Sequence, residues 1–317
     1  MKLVIDDQIP FIRGIFETAG TVVYLPGDAM TPTDVSDADA LVVRTRTHVG
    51  PALLENSPVR YVASATSGVD HLDTAWLEMR GITWSHCPGV NAESVAQYVT
   101  AALLVLSARL RRPLEGLVLG VVGAGHVGTR VIAKARALGM AVLVHDLPRE
   151  AKEGPGNFVS LEDVRRQADV VSLHVPLRRT GPYRTMHLVD GAFLESMRRG
   201  AILMNTARGA VIRSAALREA IDRAWLGGVV LDVWEHEPSI DRALLEMVDL
   251  GTPHIAGYST DAKARATAMV VEQISGFFDL DARGDGSASN DSVLDLDLDG
   301  LGSVSYTHLT LPTKRIV

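Results

Sequence analysis

The chain of 317 residues has a single cysteine, Cys87, so it holds no internal disulfide and no cysteine-rich metal site. Nor does it have an excess of basic charge. Its 31 Lys and Arg stand against 38 Asp and Glu, a net −7, and nonspecific nucleic-acid binding needs the opposite sign. No apolar run reaches the roughly 18–20 residues of a membrane span. The opening stretch, MKLVIDDQIP, is acidic where a secretory leader would be apolar. These absences predict a protein of a reducing cytoplasm with neither nucleic acid nor membrane as partner. What is present, 47% hydrophobic and 22% charged residues, describes a globular chain with apolar material for two cores.

The first third alternates apolar runs with helical stretches. KLVID, TVVYL, ADALVVR and VRYVASAT read as strands, while PFIRGIFETAG, closing on Gly20, and DTAWLEMRG, closing on Gly81, read as helices. A βαβ rhythm of this kind implies a doubly wound parallel sheet, with ligands at the carboxyl ends of its strands. That makes Arg44, Thr45, Arg46, Thr66 and Ser67 candidates for a site. NAESVAQYVTAALLVLSARL follows as a long helix, with Arg109, Arg111 and Arg112 at its dipole-negative end. Beyond it a second series begins, in which ADVVSLHVP, AILMNTA and GGVVLDV read as strands and AALREAIDRA as an amphipathic helix. The fold class is therefore α/β, with two doubly wound parallel-sheet domains. From residue 281 the chain turns repetitive and acidic, and 281–317 is expected to take no fold. Its run VSYTHLTLPT back-translates to a transposon-type adapter end, which favours an artefact over a natural tail.

The second series opens on Gly123-x-Gly125-x-x-Gly128, directly after a strand and at the start of a helix. Alone the pattern is weak, but its context is that of a dinucleotide site. The first glycine permits the tight turn, the second lets backbone amides approach a pyrophosphate, and the third packs helix on strand. Asp146 ends the next strand about twenty residues on, where a carboxylate accepts ribose hydroxyls and repels a 2′-phosphate. NAD is the expected cofactor, although Arg149 stands close enough to pair with a 2′-phosphate.

Three later segments carry polar residues at strand ends. MNTARGAVI offers Arg208, LDVWEHEP offers Asp232, Glu235, His236 and Glu237, and GTPHIAGYS offers His254. Singly, each has a bland reading: a solvated arginine, a turn-capping glutamate, a hydrogen-bonded core histidine. Together, after a dinucleotide motif, they suffice to oxidise a 2-hydroxy acid. Arginine clamps the substrate carboxylate, histidine takes the hydroxyl proton, and a carboxylate fixes the imidazole tautomer. Metal binding by His236 and His254 is not expected, since neither HExxH nor CxxC spacing accompanies them.

The segments VVRTRTHV, SATSGVDHLD, GVNAESVAQYV, GVVGAGHVGTRV, HVPL, MNTARGAVI, LDVWEHEP and PHIAGYS together resemble the D-isomer-specific 2-hydroxyacid dehydrogenase family. The resemblance implies that Arg208, Glu237 and His254 are catalytic. It places Gly123, Gly125, His126, Val127, Gly128, Asp146, Val175, Thr206, Ala207, Arg208, Asp232 and Gly257 at the cofactor, with Asp232 near its nicotinamide end. It implies a Rossmann NAD domain, 95–256, inserted in a flavodoxin-like substrate domain made of 1–94 and 257–280. Within the family, LVIDDQIPF, GPYRTMHL and PHIAGYSTDAKARAT are similar to a branch whose substrate is a phosphorylated 2-hydroxy acid. That likeness implies substrate contacts from Arg44, Thr45, Arg46, Thr66, Ser67 and Tyr258, and a homodimer. The same branch carries a C-terminal dimerisation domain, whose place the 281–317 stretch takes here. Other members of the family, acting on phosphoglycerate or glyoxylate, and NAD(H)-sensing binding proteins of the same fold, are the alternatives.

Overall fold

The computed structural model describes residues 1–280, and the expectations for 281–317 lie outside the described residues. The chain divides into two compact units. One comprises Met1–Val90 with the described residues from Ser259 onward, and the other is Asn91–Tyr258.

In the first unit, strands β1 (Lys2–Asp6), β2 (Thr21–Leu25), β3 (Ala40–Val43), β4 (Tyr61–Ser64) and β5 (Thr83–Ser85) form one sheet in the order β2-β1-β3-β4-β5. Every pairing is parallel. Alternate residues face opposite ways, and both faces are covered, as a parallel sheet requires. Val4, Leu41, Val43 and Val62 pack with Leu54 of α1 (Pro51–Leu54) and Leu77 of α2 (Thr74–Met79). Leu3, Ile5, Val42 and Ala63 pack instead with Ala266, Val270 and Ile274 of a returning helix, Thr260–Phe278. Cys87 is buried in this second layer, and burial pushes its thiol up to about 12, as befits a core residue.

The segment at residues 10–20 departs from the sequence reading. It is a series of turns and not a helix. Phe11 and Gly14 stand in the left-handed region, at φ 62° and 86°, which breaks helical hydrogen bonding. Gly20 is no helix cap: a Cβ there would lie 2.1 Å from the Met1 carbonyl oxygen, so close backbone approach explains the glycine.

The second unit begins with α3 (Ala92–Leu110), followed by β6 (Val118–Val122), α4 (His126–Ala137), β7 (Ala141–His145), α5 (Leu147–Glu153), α6 (Leu161–Gln167) and β8 (Val170–Leu173). Then come α7 (Gly191–Ser196), β9 (Ala201–Asn205), α8 (Ser214–Asp222), β10 (Leu226–Leu231), α9 (Arg242–Met247) and β11 (Leu250–Gly251), and α10 is the returning helix Thr260–Phe278 of the first unit. The sheet runs β11-β10-β9-β8-β6-β7, all parallel. Outside β7, where a further strand would pair, Val159 N–H donates to Val144 O at 2.8 Å and Val159 O accepts from His145 Nδ1 at 2.9 Å. The chain order reverses between β6 and β8, the switch point where open α/β sheets bind ligands. The arginines at the end of α3 do more than answer the helix dipole. Arg112 pairs with Asp169 at 2.6 Å, Arg109 donates to Asp249 O, and Arg111 takes the left-handed C-cap.

Candidate active site

The glycine loop lies between β6 and α4, and its three glycines have different physical reasons. Gly123 has φ 92°, and a Cβ there would meet the His174 carbonyl at 2.8 Å. A Cβ on Gly128 would sit 2.0 Å from Gly123 O. The fold thus demands both. At Gly125, by contrast, a Cβ would meet nothing within 4 Å. The open space lies at the N-terminus of α4, beside His126 and Val127, where unpaired amides and the helix dipole favour an anion. A pyrophosphate fits that cradle.

Asp146 closes β7 and caps α5, its carboxylate accepting from Arg149 N–H at 3.0 Å and from Ala124 N–H of the glycine loop at 2.7 Å. Carboxylate oxygens have further lone pairs for ribose hydroxyls. Arg149 is engaged elsewhere. It makes a bidentate pair with Glu153, at 2.7 and 2.8 Å, and donates to Ala124 O. Its charge is therefore answered within the chain, which leaves the negative Asp146 to set the preference against a 2′-phosphate.

At the carboxyl end of β9, buried Asn205 shapes the turn that carries Thr206, Ala207 and Arg208. Its amide oxygen accepts from Ala207 N–H and its NH₂ donates to Arg208 O, each at 3.0 Å. Gly209 follows because a Cβ would stand 1.9 Å from the Trp234 carbonyl, where the next loop crosses. Beyond β10, Glu237 Oε1 accepts from Trp234 N–H at 2.6 Å, and its Oε2 accepts from His254 Nδ1 at 2.8 Å. Burial pushes the Glu237 carboxyl up, but the His254 and Trp234 bonds and the Arg208 charge outweigh it and hold it below the usual range. His254 is raised above its ordinary 6.5, first by the bond to Glu237 against the pull of burial, with the Asp232 charge adding to the rise and Arg208 opposing it. Arg208, Glu237 and His254 are thus brought within electrostatic reach of one another.

Asp232 is fully buried and faces the loop that bears His254: Thr252 Oγ1, Ile255 N–H and Ala256 N–H all donate to its carboxylate. Gly257 ends that loop, where a Cβ would strike the Asn91 side chain at 2.3 Å. Tyr258 is 65% exposed. His236 and Glu235 do not join the His254 pair. Glu235 bonds His187 Nε2 at 2.6 Å and Ser214 N–H at 3.0 Å, which ties the 185–190 stretch to this loop. Val175 follows His174 in the loop after β8. His174 and Asn205 lie within HVPL and MNTARGAVI, but nothing in those segments gave either residue a role. His174 lies against Ser172 and Thr206, and burial draws its pKa down to about 4, so it is neutral.

In the first unit, Arg44 and Asp6 face each other across the switch point between β1 and β3. Arg44 Nε and Nη2 bond the buried Asp6 carboxylate at 3.0 and 3.1 Å, so most of that guanidinium holds the sheet end together. Arg46 is the more open cation, 71% exposed and 3.6 Å from Asp28, and Thr45 beside it is exposed too. Thr66 Oγ1 donates to Gly68 O at 3.0 Å and so accepts from Ser64 Oγ, while Ser67 O accepts from His86 Nδ1.

A glycine loop at a parallel-sheet switch point, with a histidine–glutamate pair and an arginine at neighbouring strand ends, defines a dinucleotide-dependent oxidoreductase. A family model described as "D-isomer specific 2-hydroxyacid dehydrogenase, NAD binding domain" matches residues 93–256. The chain is 48% identical over 283 residues to an erythronate-4-phosphate dehydrogenase of Bacteroides thetaiotaomicron, covering 89% of this chain and 81% of that protein. Among solved structures it is similar to the TT0316 protein from Thermus thermophilus, with TM-score 0.77 and 31% identity over 88% of this chain and 97% of that one. A D-lactate dehydrogenase from Aquifex aeolicus, complexed with NAD and lactic acid, has TM-score 0.77 at 27% identity, covering 88% of this chain and 96% of its own. The chain belongs to the D-isomer specific 2-hydroxyacid dehydrogenase family. It is an NAD-dependent dehydrogenase, and NAD is its cofactor. Among the described residues, no helix is long and apolar enough to cross a membrane.

Proposed function

We propose that the chain oxidises 4-phospho-D-erythronate to 2-oxo-3-hydroxy-4-phosphobutanoate with NAD, a step of pyridoxal phosphate (vitamin B6) biosynthesis. One observation carries the reaction type: His254 Nδ1 lies 2.8 Å from Glu237, within reach of the Arg208 charge. The substrate assignment is supported by relatives that bear the name erythronate-4-phosphate dehydrogenase, at 48% identity in Bacteroides thetaiotaomicron and also in Salinibacter ruber.

The chemistry follows from the pair. Glu237 accepts a hydrogen bond from Nδ1–H, so the lone pair of neutral His254 stands at Nε2. Arg208 clamps the substrate carboxylate through two parallel N–H bonds. Nε2 takes the C2 hydroxyl proton, the C2–O bond becomes a carbonyl, and the C2 hydrogen leaves with its electron pair. NAD, when bound, supplies the acceptor for that hydride. The imidazolium left behind is stabilised by Glu237. The glycine loop with His126 and Val127 would hold the pyrophosphate, Asp146 a ribose, and Val175, Thr206, Ala207, Asp232 and Gly257 the remainder of the cofactor. In this reading 95–256 is the NAD domain, while 1–94 with 257–280 binds substrate. Arg46, supported by Arg44, meets the phosphate, and Thr45, Thr66, Ser67 and Tyr258 meet its other oxygens. We further propose a cytoplasmic homodimer, with the exposed Leu104 and Leu110 of α3 in support. Light scattering would read its mass.

The test is NADH formation with 4-phosphoerythronate, erythronate, phosphoglycerate and glycerate in parallel. Turnover of the first, with a KM that rises in Arg46→Ala while erythronate is unaffected, is expected. Turnover of a non-erythronate acid alone would move the chain to another branch of the family. NADH binding without turnover of any acid would make it a sensor.

A further inference from the structure

His254 has φ 58°, a left-handed backbone that a side-chain-bearing residue holds only when its surroundings impose it. The surroundings here are the backbone and side chain of Asp232 and their neighbours. Asp232 O accepts from His254 N–H at 2.7 Å. The Asp232 carboxylate accepts from Ile255 N–H at 2.8 Å, Ala256 N–H at 2.9 Å and Thr252 Oγ1 at 2.6 Å. The turn that presents the imidazole is therefore tied to Asp232 on both sides of His254. The chain of bonds continues outward: Tyr98 OH, on α3, lies 2.7 Å from the same Thr252 hydroxyl. Thr252 Oγ1 donates its single proton to Asp232, so Tyr98 must be the donor to Thr252. Burial, with the Asp232 charge adding to it, pushes the Tyr98 phenol up to about 12 and keeps its proton in place. Trp234 Nε1 fixes the same end of the turn through its backbone, donating to Thr252 O at 2.9 Å.

We infer that Tyr98 is a positioning residue for the dehydrogenase reaction: through Thr252 and Asp232 it holds the 252–256 turn, and with it the place of His254 against Glu237. The inference rests on His254 being the proton acceptor of the proposed function. The charged groups that act on His254 are Glu237, Asp232 and Arg208. Tyr98 touches none of the reacting atoms and acts only through the turn.

The experiment uses the full chain and the variants Tyr98→Phe, Thr252→Val and Thr252→Ser. Phe keeps the ring in its apolar layer and removes the donor. Val keeps the shape of Thr252 and removes both bonds, while Ser restores the hydroxyl. Two quantities are read: kcat and KM with 4-phosphoerythronate and NAD, and the titration of His254 by NMR in the cofactor-free chain, assigned with His254→Asn. Tyr98→Phe is expected to lower kcat about tenfold, the loss that a displacement of a fraction of an ångström produces, with KM for NAD unchanged. The His254 pKa is expected to move down towards its ordinary value as the contact with Glu237 loosens. Thr252→Val should show a larger change in the same direction, and Thr252→Ser a return towards wild type. Adding Tyr98→Phe to Thr252→Val should change nothing further, because the path is already cut. A Tyr98→Phe chain that melts earlier, with wild-type kcat and His254 titration, would make Tyr98 a packing residue and overturn the inference. So would full additivity in the double variant. If Thr252→Val fails to fold, Tyr98→Phe and Thr252→Ser still decide. The NMR titration needs no substrate, so a chain that fails to turn over 4-phosphoerythronate refutes the proposed substrate while the positioning role is still tested.

Discussion

Replacing Glu237 by glutamine or by alanine removes the same charge, yet the geometry predicts that glutamine is the worse substitution. In the native chain Oε1 accepts from Trp234 N–H and Oε2 from His254 Nδ1. Glutamine has one oxygen, and the Trp234 amide can bond only an acceptor, so the glutamine NH₂ is turned towards His254. Nδ1 must then accept, the imidazole proton moves to Nε2, and the atom that should receive the hydroxyl proton is blocked. Loss of a correctly placed general base lowers rates roughly 10²–10⁴-fold, and a wrong tautomer reaches the upper part of that range. Alanine leaves the tautomer free: towards His254 it forfeits the charged hydrogen bond, and it also removes the acceptor of Trp234 N–H. Such bonds contribute about 1.5–3 kcal/mol. The His254 side chain is 49% exposed. Solvent screening therefore puts the pair at the low end, about 1.5 kcal/mol or tenfold in rate. The assay is NADH absorbance under saturating cofactor across a pH series. Expected are kcat values in the order wild type, then alanine, then glutamine, with the His254 pKa in the alanine variant falling towards its ordinary value because the largest cause of its rise is gone. Glutamine retaining more activity than alanine would refute the tautomer argument, and wild-type kcat in both would remove Glu237 from the reaction.

Other consequences can be checked alongside. His254→Ala should lose about 10²–10⁴-fold in kcat, read in the same assay. Arg208→Lys should lose both substrate affinity and rate, since lysine cannot make two parallel bonds to a carboxylate, and steady-state kinetics would show it. Because His254 must be neutral to accept a proton and its pKa is raised, the oxidative kcat/KM should climb with pH through a value above 6.5, and the reverse reaction should fall over the same interval. Gly125→Val should melt like the wild type but lose NADH binding in fluorescence titration, because its Cβ enters only open space. Gly128→Ala should instead lower the melting temperature, because its Cβ would meet Gly123 O at 2.0 Å.

What could be read from the sequence was what local pattern encodes. The strands β3, β4, β8, β9 and β10 are short apolar runs, and a parallel sheet buried on both faces asks for that. The glycine loop was legible because its spacing, strand and helix sit within about thirty residues. Periodicity misled at residues 10–20, where the apolar spacing suits a helix but Phe11 and Gly14 adopt left-handed backbone and the apolar side chains fill the sheet's face from turns. Long-range pairing was not legible at all. Arg44 read as an open cation until Asp6, 38 positions away, claimed two of its donors. Asp146 read as a ribose acceptor, but its role as cap and loop brace depends on where Ala124 and Arg149 come to lie. Tyr98, Thr252 and Asp232 meet only because α3 packs in one core cluster with Val230 of β10, and no spacing announces that.

The central claim is that this chain moves a hydride from C2 of 4-phosphoerythronate to NAD while His254 takes the hydroxyl proton. Its most direct test is a single turnover with substrate deuterated at C2, followed by mass analysis of the cofactor. Deuterium in the reduced cofactor, with a proton released to solvent, is the predicted result. No reduced cofactor, or deuterium lost to water, would contradict it.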